Sequence, residues 1–293
     1  MKNLHSRFLA CAGILLLSTA AGLVAQSADT GDSSASVNST AGTSTPNKSK
    51  TAKSGSDAWN GFYVGGYGGF GMRRATANTS TVFSPTGYFA ASSVASISTS
   101  GRQALNSNNF NGGGTVGYNH QSGKWVVGAE ADFGSLTGTK SVSTNTVYPC
   151  CSPSSFTVTQ SVKTTWLFTA RPRVGYAWGN TMAYVTGGLA MTNINYQARF
   201  SDNFPTSPQA GAAESGGLNK TTSGWTGGGG FETKINDRWS VKGEYLYAQF
   251  SRQSTTSTNL TAFTPSVAFP SNTFSHGIFL KEHLVRFGIN YHF

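Results

Sequence analysis

The sequence predicts an all-β chain, an eight-stranded antiparallel transmembrane up-and-down β-barrel with short periplasmic turns and long extracellular loops. Three observations predict it. The last residues alternate strictly: Val285, Phe287, Ile289, Tyr291 and Phe293 share one face, while Leu284, Arg286, Gly288, Asn290 and His292 share the other, and a period of two is that of a strand. Charged residues make up only 11% of the chain, few for a water-facing surface, yet no internal run approaches the roughly 20 apolar residues of a membrane helix. Short and long connections between strand candidates alternate, as they do when one rim of a barrel carries tight turns and the other carries loops.

The amino terminus sets the compartment. Lys2 and Arg7 precede a short apolar core, Phe8 to Leu17, and small residues lead to Leu23-Val24-Ala25. Residues 1–25 therefore read as a signal peptide cleaved near Ala25. The core is short for a membrane anchor, and Cys11 lacks the residues of a lipid-attachment motif. Residues 26–58 are rich in Ser, Thr and Ala with Pro46; such a segment buries no core and reads as a flexible linker. The barrel is expected at 59–293.

Its strand candidates are about 60–72, 109–120, 124–136, 161–178, 181–198, 223–235, 238–250 and 281–293. Asn119 to Gly123, Gly179-Asn180 and Asn236-Asp237 supply turn chemistry between hairpin partners. The other connections, about 73–108, 137–160, 199–222 and 251–280, are rich in Ser, Thr and Asn and read as loops. A hidden hairpin in the first or last of them would raise the strand count to ten.

Parity then sorts the side chains. Trp125, Phe133, Trp166, Phe168, Trp225, Trp239, Tyr245, Phe287, Tyr291 and Phe293 fall on the outward, membrane-facing side. Glu130, Asp132, Arg171, Arg173, Glu232, Lys234, Lys242, Glu244 and Arg286 fall on the inward side. A charge at the lipid midplane costs roughly 2–4 kcal/mol, so these residues are expected to form a lumen network. Eight strands enclose little more than side chains, and mutual pairing is the favoured reading over a charged solute path. Pro172 sits on the outward face of a central strand; because it donates no ladder bond, a bulge or strand end is expected there.

Chemistry is sparse. Gly66 to Gly71 matches G-x-G-x-x-G literally, but the glycines alternate with aromatics inside a strand and no helix follows, so no dinucleotide site is expected. Cys150 and Cys151 are adjacent with no further ligand at metal spacing. A vicinal disulfide is possible though strained, and a loop pair or loop disulfide in an oxidising compartment is favoured. His276 and His283, near Ser275 and Glu282, would be the pair for a lipid-modifying enzyme at the outer rim; a chance neighbourhood is the favoured reading. No catalytic, metal or cofactor site is expected. The net charge of +10, about +8 without the signal peptide, comes from scattered residues. It suits anionic lipopolysaccharide better than nucleic acid, which is not expected as a partner.

Several stretches resemble the alpha-proteobacterial outer-membrane immunogenic proteins, or opacity-type small porins. They are Trp59-Asn60-Gly61-Phe62-Tyr63-Val64-Gly65-Gly66, Arg173-Val174-Gly175-Tyr176-Ala177, Tyr184 to Ala190, Gly224 to Gly229, Trp239 to Tyr247, and Arg286 to Phe293. The linker, the long first loop and the Cys-Cys loop depart from the family. The resemblance implies an eight-stranded outer-membrane barrel acting as a surface antigen, structural membrane protein or small porin, in contact with outer-membrane lipid and lipopolysaccharide. The closing aromatic, Phe293, resembles the signal read by the barrel-assembly machinery. A lipid-modifying enzyme and a secreted soluble β-sandwich are the alternatives. Solute passage, loop ligands and oligomeric state stay open.

Overall fold

The computed structural model describes residues 58–204 and 211–293. The expected signal peptide, and the expected linker up to residue 57, lie outside the described residues. In chain order the elements are β1 (Gly61–Thr81), α1 (Ala91–Ser100), β2 (Gln103–Ala104), β3 (Ser107–Ser122), β4 (Trp125–Val147), β5 (Ser155–Trp178), β6 (Thr181–Asp202), β7 (Ala213–Lys234), β8 (Trp239–Phe250), β9 (Gln253–Ser257), β10 (Thr261–Ala262), β11 (Val267–Ala268) and β12 (Phe274–His292).

Eight of these strands close on themselves. β1 pairs β3, then β4, β5, β6, β7 and β8 follow in sequence, and β12 pairs both β8 and β1, every pairing antiparallel. The short strands hang on this ring: β2 on β1, β9 on β12, and the β10–β11 pair on β7. The turns after β5 and β7 fall where the sequence placed them, while the first shrinks from Asn119 to Gly123 down to residues 123–124, because Asn119 to Ser122 pair with β4. Gly179 takes φ +58 between β5 and β6, a left-handed turn conformation that favours glycine. Among the described residues no helix is long and apolar enough to cross a membrane.

The strands run much further than predicted. Residues 73–81, 137–147, 155–160, 199–202, 213–222 and 274–280 were expected in loops and are strand instead. β5 has 24 residues. At roughly 3.3 Å per residue that is about 80 Å, and a tilt of about 40° still leaves it rising about 60 Å, more than twice a lipid-facing band of about 25 Å. The connections left at this rim are 82–106, which carries α1 and β2; 148–154; 203–212; and 251–273, which carries β9 to β11.

Inward and outward residues alternate along the strands, with the phase of β5 shifting by one residue at the irregularity between Thr164 and Leu167, but polarity inverts. Near the turn rim of β5, Thr169, Arg171 and Arg173 are buried inside while Val174, Tyr176 and Trp178 are exposed. Beyond Leu167 the inside becomes Val162, Val158 and Phe156, and the outside Lys163, Ser161 and Thr159. The ring therefore has an apolar outside around a polar inside at one end and the reverse at the other. In the second half, two apolar clusters are stacked. One gathers Leu136, Leu167, Ile194, Tyr196, Leu246 and Leu280; beyond it lie Phe89, Ile97, Tyr148, Phe156, Phe200 and Phe274.

Pro172 brings neither bulge nor strand end. β5 continues through it opposite Ala129, and the ladder to β6 skips from Ala170–Leu189 to Arg173–Thr186 with register unchanged. The freed Pro172 carbonyl accepts from the Thr186 hydroxyl at 2.8 Å. Register shifts lie elsewhere, between Ser135 and Gly138 and between Thr164 and Leu167, close to the level where polarity inverts.

Candidate functional site

Within the polar half, inward charged residues from five strands, β4, β5, β7, β8 and β12, converge. Arg171 Nη2 lies 2.7 Å from Glu130 Oε1 and 2.9 Å from Asp132 Oδ2, and its Nη1 is 3.3 Å from Glu244 Oε2. Arg173 bridges Glu232, at 2.8 Å, and Glu130, at 3.4 Å. Lys242 Nζ reaches Glu130 Oε2 at 2.8 Å. Arg286 Nη1 is 3.1 Å from Asp132 Oδ1. Four carboxylates thus face four cations, all buried. Buried charge of this kind is tolerated only when paired and hydrogen-bonded.

Hydroxyls and amides complete the acceptors. Tyr63 donates to Glu130 at 2.8 Å and Tyr184 to Glu244 at 3.0 Å. Ser240 and Asn290 donate to Glu232 at 2.6 and 2.7 Å. The Arg173 guanidinium also lies 5.2 Å from the Tyr63 ring and 4.7 Å from that of Tyr184, within cation–π range. Room for Tyr63 comes from Gly117 on the adjacent strand, where a Cβ would overlap the phenol.

Eight of the nine residues assigned inward by parity therefore meet. The ninth, Lys234, stands at the turn end of β7, where its ammonium meets the Asp237 carbonyl at 3.2 Å and the Trp59 ring at 5.4 Å. Glu130 and Arg171 pair as ladder neighbours, but other partners differ from those nearest in the ladder. Glu232 is the register neighbour of Lys242, yet Lys242 crosses the interior to Glu130 and Glu232 takes Arg173. The ten outward aromatics all lie on the exterior. Phe287, Phe133 and Trp125 are 65%, 60% and 59% exposed, while Trp166, Phe168 and Tyr291 are half-covered by neighbours.

Some polar groups escaped the sequence reading. Arg73 Nε pairs Glu282 Oε1 at 2.9 Å, both fully buried, and Arg73 donates to the Gly138 carbonyl at 3.0 Å. Arg73 falls in the expected loop 73–108, where the alternation through Arg73, Ala75 and Ala77 is the available signal; Glu282 falls in the expected strand 281–293 but was weighed only beside His283. Further out, His276 Nε2 is 3.1 Å from Glu214 Oε1 and Ser257 Oγ is 3.1 Å from the same nitrogen. Serine and carboxylate share one ring nitrogen, so the imidazole cannot relay between them. His283 faces out, its Nδ1 2.7 Å from the Tyr245 hydroxyl. His276 and His283 thus lie on opposite faces of β12 and form no common site. Cys150 and Cys151 are joined as a vicinal disulfide, in the 148–154 connection.

A family model for the outer membrane protein beta-barrel domain matches residues 12–293. The 31 kDa outer-membrane immunogenic protein of Brucella melitensis is 32% identical over 196 residues, 66% of this chain and 70% of that protein. The 25 kDa outer-membrane immunogenic protein of Brucella canis is 26% identical over 196 residues, 67% of this chain and 68% of that one. Among solved structures, the outer membrane protein OprG from Pseudomonas aeruginosa is similar over 80% of this chain and 97% of its own, with 13% identity and a TM-score of 0.40.

Proposed function

This chain belongs to the outer-membrane β-barrel protein family, and from that premise we propose that it is a closed barrel presenting a rigid, strand-built turret as a surface antigen, without an enzymatic role. The barrel lies in the outer membrane, with its turn rim periplasmic and the turret outside. In this reading the apolar exterior band meets lipid, and the turret is polar outside and apolar inside because water surrounds it. The observation that carries the reading is the filled interior. Paired charges occupy the membrane level, and two apolar clusters close the channel axis above them. A hydrated ion passing this route would have to break buried pairs or enter an apolar core.

The test is electrical. Purified full-length chain inserted in planar bilayers is expected to give no discrete conductance steps, although heat-modifiable gel mobility shows it folded. Regular single-channel steps from folded protein would overturn the closed-barrel reading in favour of a small porin.

A further inference from the structure

The outside of the turret is electrostatically one-sided. Among the described residues every Asp and Glu side chain is buried except half-buried Asp202 and exposed Asp237 in the turn before β8. Exterior cations are present nonetheless: Arg74, Lys163, Arg199, Arg252 and Lys281. None of them belongs to an ion pair among the described residues.

Three of these cations converge. Arg74 and Lys281 are register partners across β1 and β12 and point outward. Arg74 parts here from its neighbour Arg73, which turns inward to Glu282. The Lys281 ammonium is 5.3 Å from the centroid of the Phe279 ring, and the Arg252 guanidinium is 5.5 Å from the same centroid. A cleft opens beside them where β8 ends, walled by Trp225, Gln249, Arg252 and Phe279. On the turn side of Lys281, the outward residues of β12 become Val285, Phe287 and Ile289, all exposed. The cations thus sit where the apolar band gives way to the polar turret.

Like charges gathered around one ring repel each other unless an anion joins them. At this height, beside hydrocarbon, that anion would carry apolar chains directed along the band. We propose that Arg74, Lys281 and Arg252 form a binding site for the phosphorylated headgroup of an outer-leaflet lipid of the lipopolysaccharide type, its phosphates on the three cations and its acyl chains along Trp225, Tyr245 and Val285. The site rests on the membrane-embedded reading above.

The experiment uses the full chain folded in zwitterionic detergent. Lipid retention is measured with diphosphorylated lipid A, with the same lipid after dephosphorylation, and with inorganic phosphate as competitor. The variant Arg74→Gln/Arg252→Gln/Lys281→Gln is compared with Lys163→Gln/Arg199→Gln, which removes exterior charge elsewhere. The triple variant is expected to lose at least about tenfold in affinity, and the control less than about twofold, because such attraction is local. Dephosphorylated lipid is expected to bind the native chain as weakly as lipid A binds the triple variant. Equal losses in both variants, or undiminished binding of dephosphorylated lipid, would overturn the site. Complete displacement by millimolar inorganic phosphate would assign it to a soluble anion instead. Quenching of outward tryptophans by brominated lipid checks the embedding separately; its absence would remove the embedded reading and the site together.

Discussion

Glu130 shows how single residues carry the interior. Its two oxygens receive Arg171, Arg173, Lys242 and the Tyr63 hydroxyl. Neutralising it leaves three buried cations short of charge, whereas removing both partners of a pair leaves none stranded. Glu130→Gln is expected to destabilise the folded barrel by about 3–5 kcal/mol, read as a lowered urea midpoint in detergent. Glu130→Gln combined with Lys242→Met is expected to recover part of that loss; a double variant less stable than the single one would contradict the pairing. Parity alone identified this residue as inward. Its pairing with Arg171 and Arg173 on the neighbouring strand was legible; the contact with Lys242 was not, because it crosses the interior of a closed ring.

At the scale of the element, β5 changes the polarity of both its faces along its length. The outward face of β5 carries Tyr176, Val174 and Phe168 in one half and Lys163, Ser161 and Thr159 in the other, with the inward face complementary. A charge introduced at Val158 should therefore be costly and one at Thr159 cheap. Val158→Lys is expected to lower stability by several kcal/mol, and Thr159→Lys by no more than about 0.5 kcal/mol, in the same urea assay; equal effects would refute the inversion. The composition of these outer halves, Ser, Thr and Asn, is that of loops, and it hid them. The period of two through Phe156, Val158 and Val162 was present but points inward, and the outward face there is polar, so the outward aromatic cue was missing. The cap above them is titratable. Burial first, then the Asp202 carboxylate, pushes the Tyr148 and Tyr88 phenols above their ordinary 10.0. Tyr148 donates to Asp202 at 2.5 Å. A raised pKa favours the neutral phenol in the folded cap, so this stability is fully present below about pH 10 and is lost as pH rises beyond it. Near-ultraviolet circular dichroism should hold constant from neutral pH to about 9 and decay above 10. Tyr148→Phe should diminish that decay; an unchanged alkaline transition in the variant would exclude Tyr148 as its source.

For the whole molecule, the consequence is a sorting of tryptophans by environment. Trp125, Trp225 and Trp239 are exposed on the apolar band, whereas Trp59 is fully buried beside His292, with ring centroids 5.9 Å apart. In vesicles containing brominated lipid, single-tryptophan versions keeping Trp125 or Trp225 should be quenched strongly and one keeping Trp59 weakly. Comparable quenching of Trp59 would mean that the ring opens or that the faces are reversed. Eight strands, their order, their turns and their two faces were readable from sequence because alternation and turn residues are local properties of the chain. The height of the ring and its filling were not. The sequence by itself determined which side chains point inward and which outward, since each peptide reverses side-chain direction regardless of what surrounds it. Only the tertiary structure decided which inward charges meet, and where the exterior passes from apolar to polar, because both depend on shear and closure, which bring together residues distant in sequence.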